Sequence, residues 1–159
     1  MRKVKQEKTR LLPFFIPHIG CPYICVFCNQ PRISGQQKMV SVDTIRKSMR
    51  EAISEQGHKG QWEVAYFGGS FTAIPQEVQD TLLEPAKEAF QQGIIQGIRL
   101  STRPDAITVE RLAELYESGV RTIELGVQTL EESMLVEAKR GHTVEDVEQA
   151  CKMIRAQGM

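Results

Sequence analysis

Short apolar runs alternate along the chain with longer segments in which apolar residues recur at helical spacing. The runs predict four strands, at residues 11–19, 62–67, 97–100 and 120–125. The helical spacing predicts helices at residues 42–56, 77–92, 108–119 and 131–139, and a last helix that Thr143 caps. Four strands that alternate with helices predict a parallel sheet with right-handed crossover connections.

Prolines refine this picture at two places. The first predicted strand contains Pro13 and Pro17, which favours an edge position, because proline cannot donate a hydrogen bond to a neighbouring strand. Pro85 lies inside the second predicted helix and predicts a kink near Thr81. After the third strand, residues 101–105 are predicted to form a polar turn.

Residues unsuited to a core follow each predicted strand. They are the cysteine-rich loop 21–28, the segment 68–70 with two glycines and a serine, the segment 101–103, and Gln128. Ligands of parallel α/β folds bind at the carboxyl ends of the strands. The four segments therefore predict one composite site at a single edge of the sheet.

Three cysteines, Cys21, Cys25 and Cys28, follow the first strand at the spacing C-x3-C-x2-C. Thiolates at that density bind soft metals, chiefly zinc or the iron of iron–sulfur clusters. Four thiolates would complete a structural zinc site, whereas three leave one position for another ligand. Zinc stays an alternative, since His18 could supply the fourth ligand. Cys151, in the last predicted helix, is expected to be a buried thiol.

The composition excludes several classes of protein. The 159 residues carry 20 basic and 20 acidic side chains, so no overall field favours nucleic acid or membranes. Five basic residues predict a basic, mobile tail at residues 1–10, which leaves residues 11–159 as the folded part. No apolar run is long enough to cross a bilayer. Four cysteines without a recognisable signal peptide indicate a reducing compartment, and we expect a cytoplasmic protein.

Taken together, these motifs resemble the radical S-adenosylmethionine (SAM) superfamily. The cysteine motif carries Phe27 just before its third cysteine, and the pair Gly68-Gly69 follows the second strand. The segments ELGVQ (residues 124–128) and RGHT (residues 140–143) are similar to the SAM domain shared by elongator-subunit-3-like proteins and oxygen-independent coproporphyrinogen oxidases. The segment FGGSFTAIP (residues 67–75) favours the elongator-like branch. The resemblance covers residues 11–159.

The resemblance implies an α/β fold, a parallel-stranded partial TIM barrel with about four of the six strand–helix units of a radical SAM core. The chain would be the amino-terminal part of that core. Cys21, Cys25 and Cys28 are implied to hold three irons of a [4Fe–4S] cluster, whose fourth iron binds SAM. The implied enzyme cleaves SAM to methionine and a 5′-deoxyadenosyl radical, which abstracts hydrogen from a substrate.

The resemblance also implies a set of SAM contacts at the strand ends. Gly68 and Gly69 would let the backbone approach the methionine amino group, because they lack side chains. Glu124 stands in an otherwise apolar strand, where a carboxylate requires a partner or a ligand. The complete set of implied contacts is Phe27, Gly68, Gly69, Ser70, Ser101, Arg103, Glu124, Gln128 and Arg140.

The implied partners are SAM, an electron donor such as flavodoxin or ferredoxin, and transfer RNA as the substrate. The residues alone leave two other functions open: a zinc-binding structural module, and an iron–sulfur electron carrier without SAM chemistry. The open edge of a four-stranded sheet predicts a homo-oligomer. The apolar stripe of the last helix is predicted to be partly exposed and consists of Val144, Val147, Cys151 and Ile154.

Overall fold

A computed structural model describes residues 9–17, 21–28, 38–56 and 61–159 of the protein. Its strands are β1 (Arg10–Ile16), β2 (Trp62–Gly68), β3 (Gly97–Thr102) and β4 (Val120–Leu125). They form one sheet in the order β1-β2-β3-β4, and every neighbouring pair is parallel. The predicted parallel α/β fold is therefore confirmed, with β1 at an edge as its prolines indicate.

Helices connect the strands in the predicted order. They are α1 (Val42–Gln56), α2 (Gln76–Gln91), α3 (Val109–Glu117), α4 (Glu132–Glu137) and α5 (Val144–Ala156). Two short 3₁₀ turns, Phe71–Ala73 and Pro104–Ala106, follow β2 and β3. Thr143 caps α5 as predicted, because its hydroxyl accepts from the backbone of Asp146 while the Asp146 carboxylate accepts from the backbone of Thr143.

Several predicted boundaries are wrong. β1 ends at Ile16, three residues before the predicted end, and it begins at Arg10, which the sequence had placed in the basic tail. Residues 1–8 of that tail lie outside the described residues. β3 continues to Thr102, so Ser101 and Thr102 belong to the strand rather than to a turn. The strand continues because Thr102 is buried and its carbonyl accepts from the backbone N–H of Gly126 at 2.8 Å.

One face of the sheet packs against α1 and α2 and forms the main core. Alternation along the strands sends Val64, Tyr66, Ile98 and Leu100 to this face, and all four are completely buried. The Tyr66 hydroxyl donates to the carbonyl of Leu82 at 2.7 Å, and burial raises the pKa of that tyrosine. Helix α2 continues from Gln76 to Gln91 with Pro85 inside it.

A second, smaller core lies beneath α5. Ala150 and Ile154 of that helix pack with Ile107 and Leu112. The prediction that the stripe of α5 is exposed is wrong for Val147 and Ile154, which are buried, because the helix packs on the 3₁₀ turn after β3 and on α3. Among the described residues, no helix is both long and apolar enough to span a membrane.

Candidate cofactor site at the strand ends

The cysteine loop (residues 21–28) follows β1 and lies against the segment that follows α4. The backbone N–H of Val26 donates to the carbonyl of Ala138 at 3.2 Å, and the backbone N–H of Cys28 donates to the carbonyl of Cys25 at 2.9 Å. The loop is therefore held by its own turn and by a segment more than a hundred residues later in the chain. This contact brings the first and last predicted motifs together.

The three thiols of the loop have different surroundings. Cys25 is buried, and Nη1 of Arg140 donates to its Sγ at 3.2 Å. The Sγ of Cys21 lies 3.2 Å from the Oγ of Ser70, at the end of β2. Cys28 is half-buried, and none of the three forms a disulfide.

In the described ranges, no three His, Cys, Asp or Glu side chains lie close enough together to form a metal site. His18, the fourth ligand of the zinc alternative, lies outside those ranges. Residues 21–28 nevertheless supply three soft thiols. By its chemistry, this donor set suits an iron–sulfur cluster with one iron left for another ligand.

Arg103 follows β3 directly and is buried, with 2% of its side chain exposed. Its Nε and Nη2 donate to the Asp105 carboxylate at 2.9 and 3.1 Å, and Nη2 also donates to the carbonyl of Arg140 at 2.5 Å. Burial lowers the pKa of Arg103, but Asp105 and Cys21 more than compensate, so the pKa is raised and the cation persists. The ring of Tyr23, in the cysteine loop, stacks on this guanidinium at 4.9 Å.

Arg140 is buried rather than solvated. Besides its contact with Cys25, its Nη2 donates to the carbonyl of Gly126. Its guanidinium carbon lies 5.8 Å from the centre of the Phe27 ring. One side chain thus joins the cysteine loop to the segment after β4.

The glycine pair after β2 is constrained by β1. Gly68 has φ +112°, and a Cβ there would lie 2.6 Å from the carbonyl oxygen of Ile16 and from the Phe15 ring. The N–H of Gly69 donates to the same carbonyl at 2.8 Å. A bare backbone at Gly68 is therefore required by strand packing alone.

Glu124 and Ser101 lie on the face of the sheet opposite the main core. They are paired in register on β4 and β3, and the Ser101 hydroxyl donates to Oε2 of Glu124 at 3.2 Å. Arg99 donates to Oε1 of Glu124 at 2.9 Å and to Glu63 on β2 at 3.1 Å. Burial lowers the pKa of Arg99, but the hydrogen bonds that it donates to both carboxylates raise the pKa above its usual value.

Two of the predicted contact residues, Gln128 and Phe27, are exposed. Gln128 is exposed and has φ +74°, a left-handed conformation that is uncommon outside glycine. The Phe27 ring is 53% exposed. Contacts therefore link Cys21 to Ser70 and link Cys25 and Arg103 to Arg140, and all of these residues except the half-buried Cys21 are buried, whereas Gln128 and Phe27 are exposed.

Within the part of the chain that the structure describes, four buried polar atoms of this region lack a hydrogen-bond partner. They are Nη1 of Arg103, Nε of Arg140 and both ring nitrogens of His142. Burial, followed by the charges of Arg140 and Arg103, lowers the pKa of His142. Buried donors without partners are costly, and two of these belong to cations, so the region fits an anionic or polar ligand.

Sequence reasoning missed three residues of this region, namely Tyr23, Arg99 and His142. A signal existed for two of them. Tyr23 is an aromatic residue inside the cysteine motif, and His142 belongs to the RGHT segment. The sequence does not indicate a role for Arg99, because its partners lie on two other strands and their position depends on strand register.

Residues 15–159 match the Radical SAM superfamily. The chain belongs to this superfamily. It is 30% identical over 149 residues to the oxygen-independent coproporphyrinogen-III oxidase-like protein HemZ of Bacillus subtilis, and this match covers 87% of this chain and 29% of HemZ. It is 28% identical over 131 residues to the tRNA uridine(34) acetyltransferase of Methanocaldococcus jannaschii, and this match covers 71% of this chain and 24% of the acetyltransferase.

The fold agrees with that of a solved structure of the superfamily. The archaeal Methanocaldococcus infernus Elp3 with an N-terminal deletion matches 89% of this radical SAM chain with a TM-score of 0.64 and 19% sequence identity. That identity supports the shared fold alone, and it confirms the predicted partial TIM barrel. The match covers 34% of the Elp3 chain, so this chain spans about a third or less of the length of each of these three proteins.

Proposed function

We propose that this chain forms the cofactor-binding core of a radical SAM enzyme, with Cys21, Cys25 and Cys28 as ligands of a [4Fe–4S] cluster. The observation that carries the proposal is the contact between Arg140 and Cys25. It sets a buried cation with an unpaired N–H directly beside the thiol loop. When bound, the cluster and SAM supply reductive cleavage of SAM, with the electron provided by a donor such as flavodoxin or ferredoxin.

The buried arginines are suited to bind the methionine carboxylate of SAM. Arg103 and Arg140 each have a buried nitrogen without a partner among the described residues, and a carboxylate would satisfy both. Gly69 and Ser70, next to Cys21, would offer backbone and hydroxyl groups to the methionine amino group. Phe27 and Gln128, open at the margin, would contact the adenine. The protein would thus orient SAM through fixed cations and backbone.

We propose transfer RNA as the substrate of the longer protein to which such a core belongs. The similarity to a tRNA uridine(34) acetyltransferase supports this choice. The chain itself has a formal net charge of zero, so its own contribution to RNA binding would be local rather than a broad electrostatic attraction.

Anaerobic reconstitution with iron and sulfide tests the cofactor assignment. We expect a brown protein with about four irons per chain, the content of one four-iron cluster, and binding of SAM by calorimetry only after reconstitution. One equivalent of zinc with no iron would contradict the proposal in favour of a zinc module. A cluster without any SAM binding would instead indicate an electron carrier.

A further inference from the structure

An ionic network spans three strands on the face opposite the main core. Arg99 on β3 lies between Glu63 on β2 and Glu124 on β4. Its Nη1 donates to Oε1 of Glu124 at 2.9 Å, and its Nη2 and Nε donate to Oε2 of Glu63 at 3.1 and 3.2 Å. A single guanidinium therefore bridges two carboxylates, a geometry that the planar fork of arginine permits and a lysine cannot reproduce.

The two carboxylates are not equally accessible. The Glu63 side chain is 13% exposed and the Arg99 side chain 25%, whereas the Glu124 side chain is 44% exposed. Glu63 is thus the buried end of the network, and Glu124 is the end that solvent or a ligand can reach. Glu124 lies two residues before Gly126, whose carbonyl Arg140 contacts.

Both oxygens of the Glu124 carboxylate are held from the side of β3. Arg99 donates to Oε1 and Ser101 donates to Oε2, so the plane of the carboxylate is fixed. Each carboxylate oxygen can accept more than one hydrogen bond. The remaining acceptor positions are therefore available to a ligand that carries two neighbouring donors.

The groups of SAM divide according to charge and donor character. Its carboxylate suits the cations Arg103 and Arg140, whereas its ribose offers two adjacent hydroxyl donors. Glu124 is an acceptor fixed by two partners on one side and open on the other, which is what a vicinal diol requires. We propose that Arg99 is a positioning residue for SAM, since it holds Glu124 in the orientation that accepts hydrogen bonds from the ribose. This inference rests on the proposed function.

Calorimetry with three ligands tests the role of Arg99 in the reconstituted protein. The ligands are SAM and its analogues that lack the 2′- or the 3′-hydroxyl. We expect the wild type to bind SAM about tenfold more tightly than at least one analogue, the loss of about one charge-assisted hydrogen bond. In Arg99→Met this ratio should fall to about two, because Glu124 is no longer held. In the Glu124→Gln variant the carboxylate is already absent, so adding Arg99→Met should not change the ratio further.

Two further variants separate positioning from general stability. Glu63→Gln removes the negative charge of the other partner of Arg99 and should keep the ratio of the wild type, because Arg99 still holds Glu124. Arg99→Lys keeps the charge but reaches fewer acceptors, so it should give an intermediate ratio, and it carries the test if Arg99→Met does not fold by circular dichroism. A merely structural role for Arg99 would weaken SAM and the analogues equally.

The two proposals fail in different ways. A wild type that binds the cluster but no SAM would overturn the proposed function. A wild type that binds SAM, with the same ratio in Arg99→Met or Arg99→Lys as in the wild type, would overturn the role of Arg99 alone. Unequal binding of SAM and its analogues that disappears with Arg99 would support both.

Discussion

Arg140 donates a hydrogen bond to the sulfur of Cys25 at 3.2 Å, and the two residues are 115 positions apart in the chain. Both side chains are buried. A residue of the RGHT segment thus directly contacts a residue of the cysteine motif. The same guanidinium donates to the carbonyl of Gly126. Two motifs that look separate in the sequence are therefore parts of one structural unit.

This contact predicts that Arg140 stabilises the protein even without cofactors. We expect Arg140→Met to lower the free energy of unfolding by about 2 kcal/mol, because it removes charge-assisted hydrogen bonds to Cys25 and Gly126. Urea unfolding of the reduced, cofactor-free protein measures this. Arg155→Met, at the exposed end of α5, is the control and should change stability by less than about 0.5 kcal/mol. Equal effects of the two changes would contradict a structural role for Arg140.

Cluster binding should depend on three of the four cysteines. Cys21→Ala, Cys25→Ala and Cys28→Ala should each abolish the visible absorption and iron content of the reconstituted protein, because each removes one thiolate ligand. Cys151 is half-buried in α5, outside the cysteine loop, and Cys151→Ala should retain the cluster. Iron and sulfide analysis checks both expectations, and a cluster that needs Cys151 would refute the assignment.

Gly141 and Gly93 form a matched pair for the packing of the cysteine loop. Both have positive φ, +72° and +64°, but a Cβ on Gly141 would lie 2.4 Å from the Tyr23 ring, whereas a Cβ on Gly93 meets nothing within 4 Å. We expect Gly93→Ala to cost about 1 kcal/mol, the backbone penalty alone. Gly141→Ala should cost more, as measured by thermal unfolding.

The excess cost at Gly141 should come from the Tyr23 ring, which is held in place by the Arg103 guanidinium. In a Tyr23→Ala background, the further change Gly141→Ala should therefore cost about as much as Gly93→Ala does in the wild type, roughly 1 kcal/mol. An excess that persists without the ring would show that another contact is responsible.

His142 makes stability depend on pH. Its pKa in the folded state is lowered from the usual 6.5, first by burial and then by the charges of Arg140 and Arg103. The unfolded chain therefore binds a proton at a higher pH than the folded chain, and stability decreases as the pH falls below about 6.5. His142→Gln should flatten this decrease below about pH 6.5. Urea unfolding at several pH values measures it, and unchanged curves would argue against a buried, neutral His142.

A second group acts at lower pH and should be unaffected by that substitution. Hydrogen bonds from the backbone and side chain of Thr143 lower the pKa of Asp146 below its usual 3.8. The stability that this carboxylate contributes is therefore present above pH 3.8 and is lost as the pH falls through its lower folded value. The two decreases in stability should thus be separated along the pH axis.

The sequence predicted the strands well because their apolar patterns are local. β4 was predicted at its observed bounds, and the edge position of β1 followed from its prolines. β3 was predicted two residues too short, because Ser101 and Thr102 look like turn residues until their pairing with Glu124 and Leu125 is known. Propensity could not reveal that pairing, since it depends on the neighbouring strand.

The site was predicted in outline but not in its connections. Grouping polar segments at the strand ends required only the rule for parallel sheets, and the structure does bring Cys21 beside Ser70 and Arg140 beside Cys25. The bridge that Arg99 makes depends on strand register, and the stacking of Tyr23 on Arg103 depends on the path of a loop. Neither the strand register nor the path of the loop can be read from the pattern of apolar and polar residues.

The backbone contact between Val26 and Ala138 has a consequence for the order of folding. Strands that are neighbours in sequence are also neighbours in the sheet, so the pairings can form one after another as the chain collapses. The cysteine loop cannot dock until the segment after α4 is in place, and that closure spans more than a hundred residues. The thiols therefore reach their final surroundings late, and acquisition of an iron–sulfur cluster would follow the folding of the sheet rather than nucleate it.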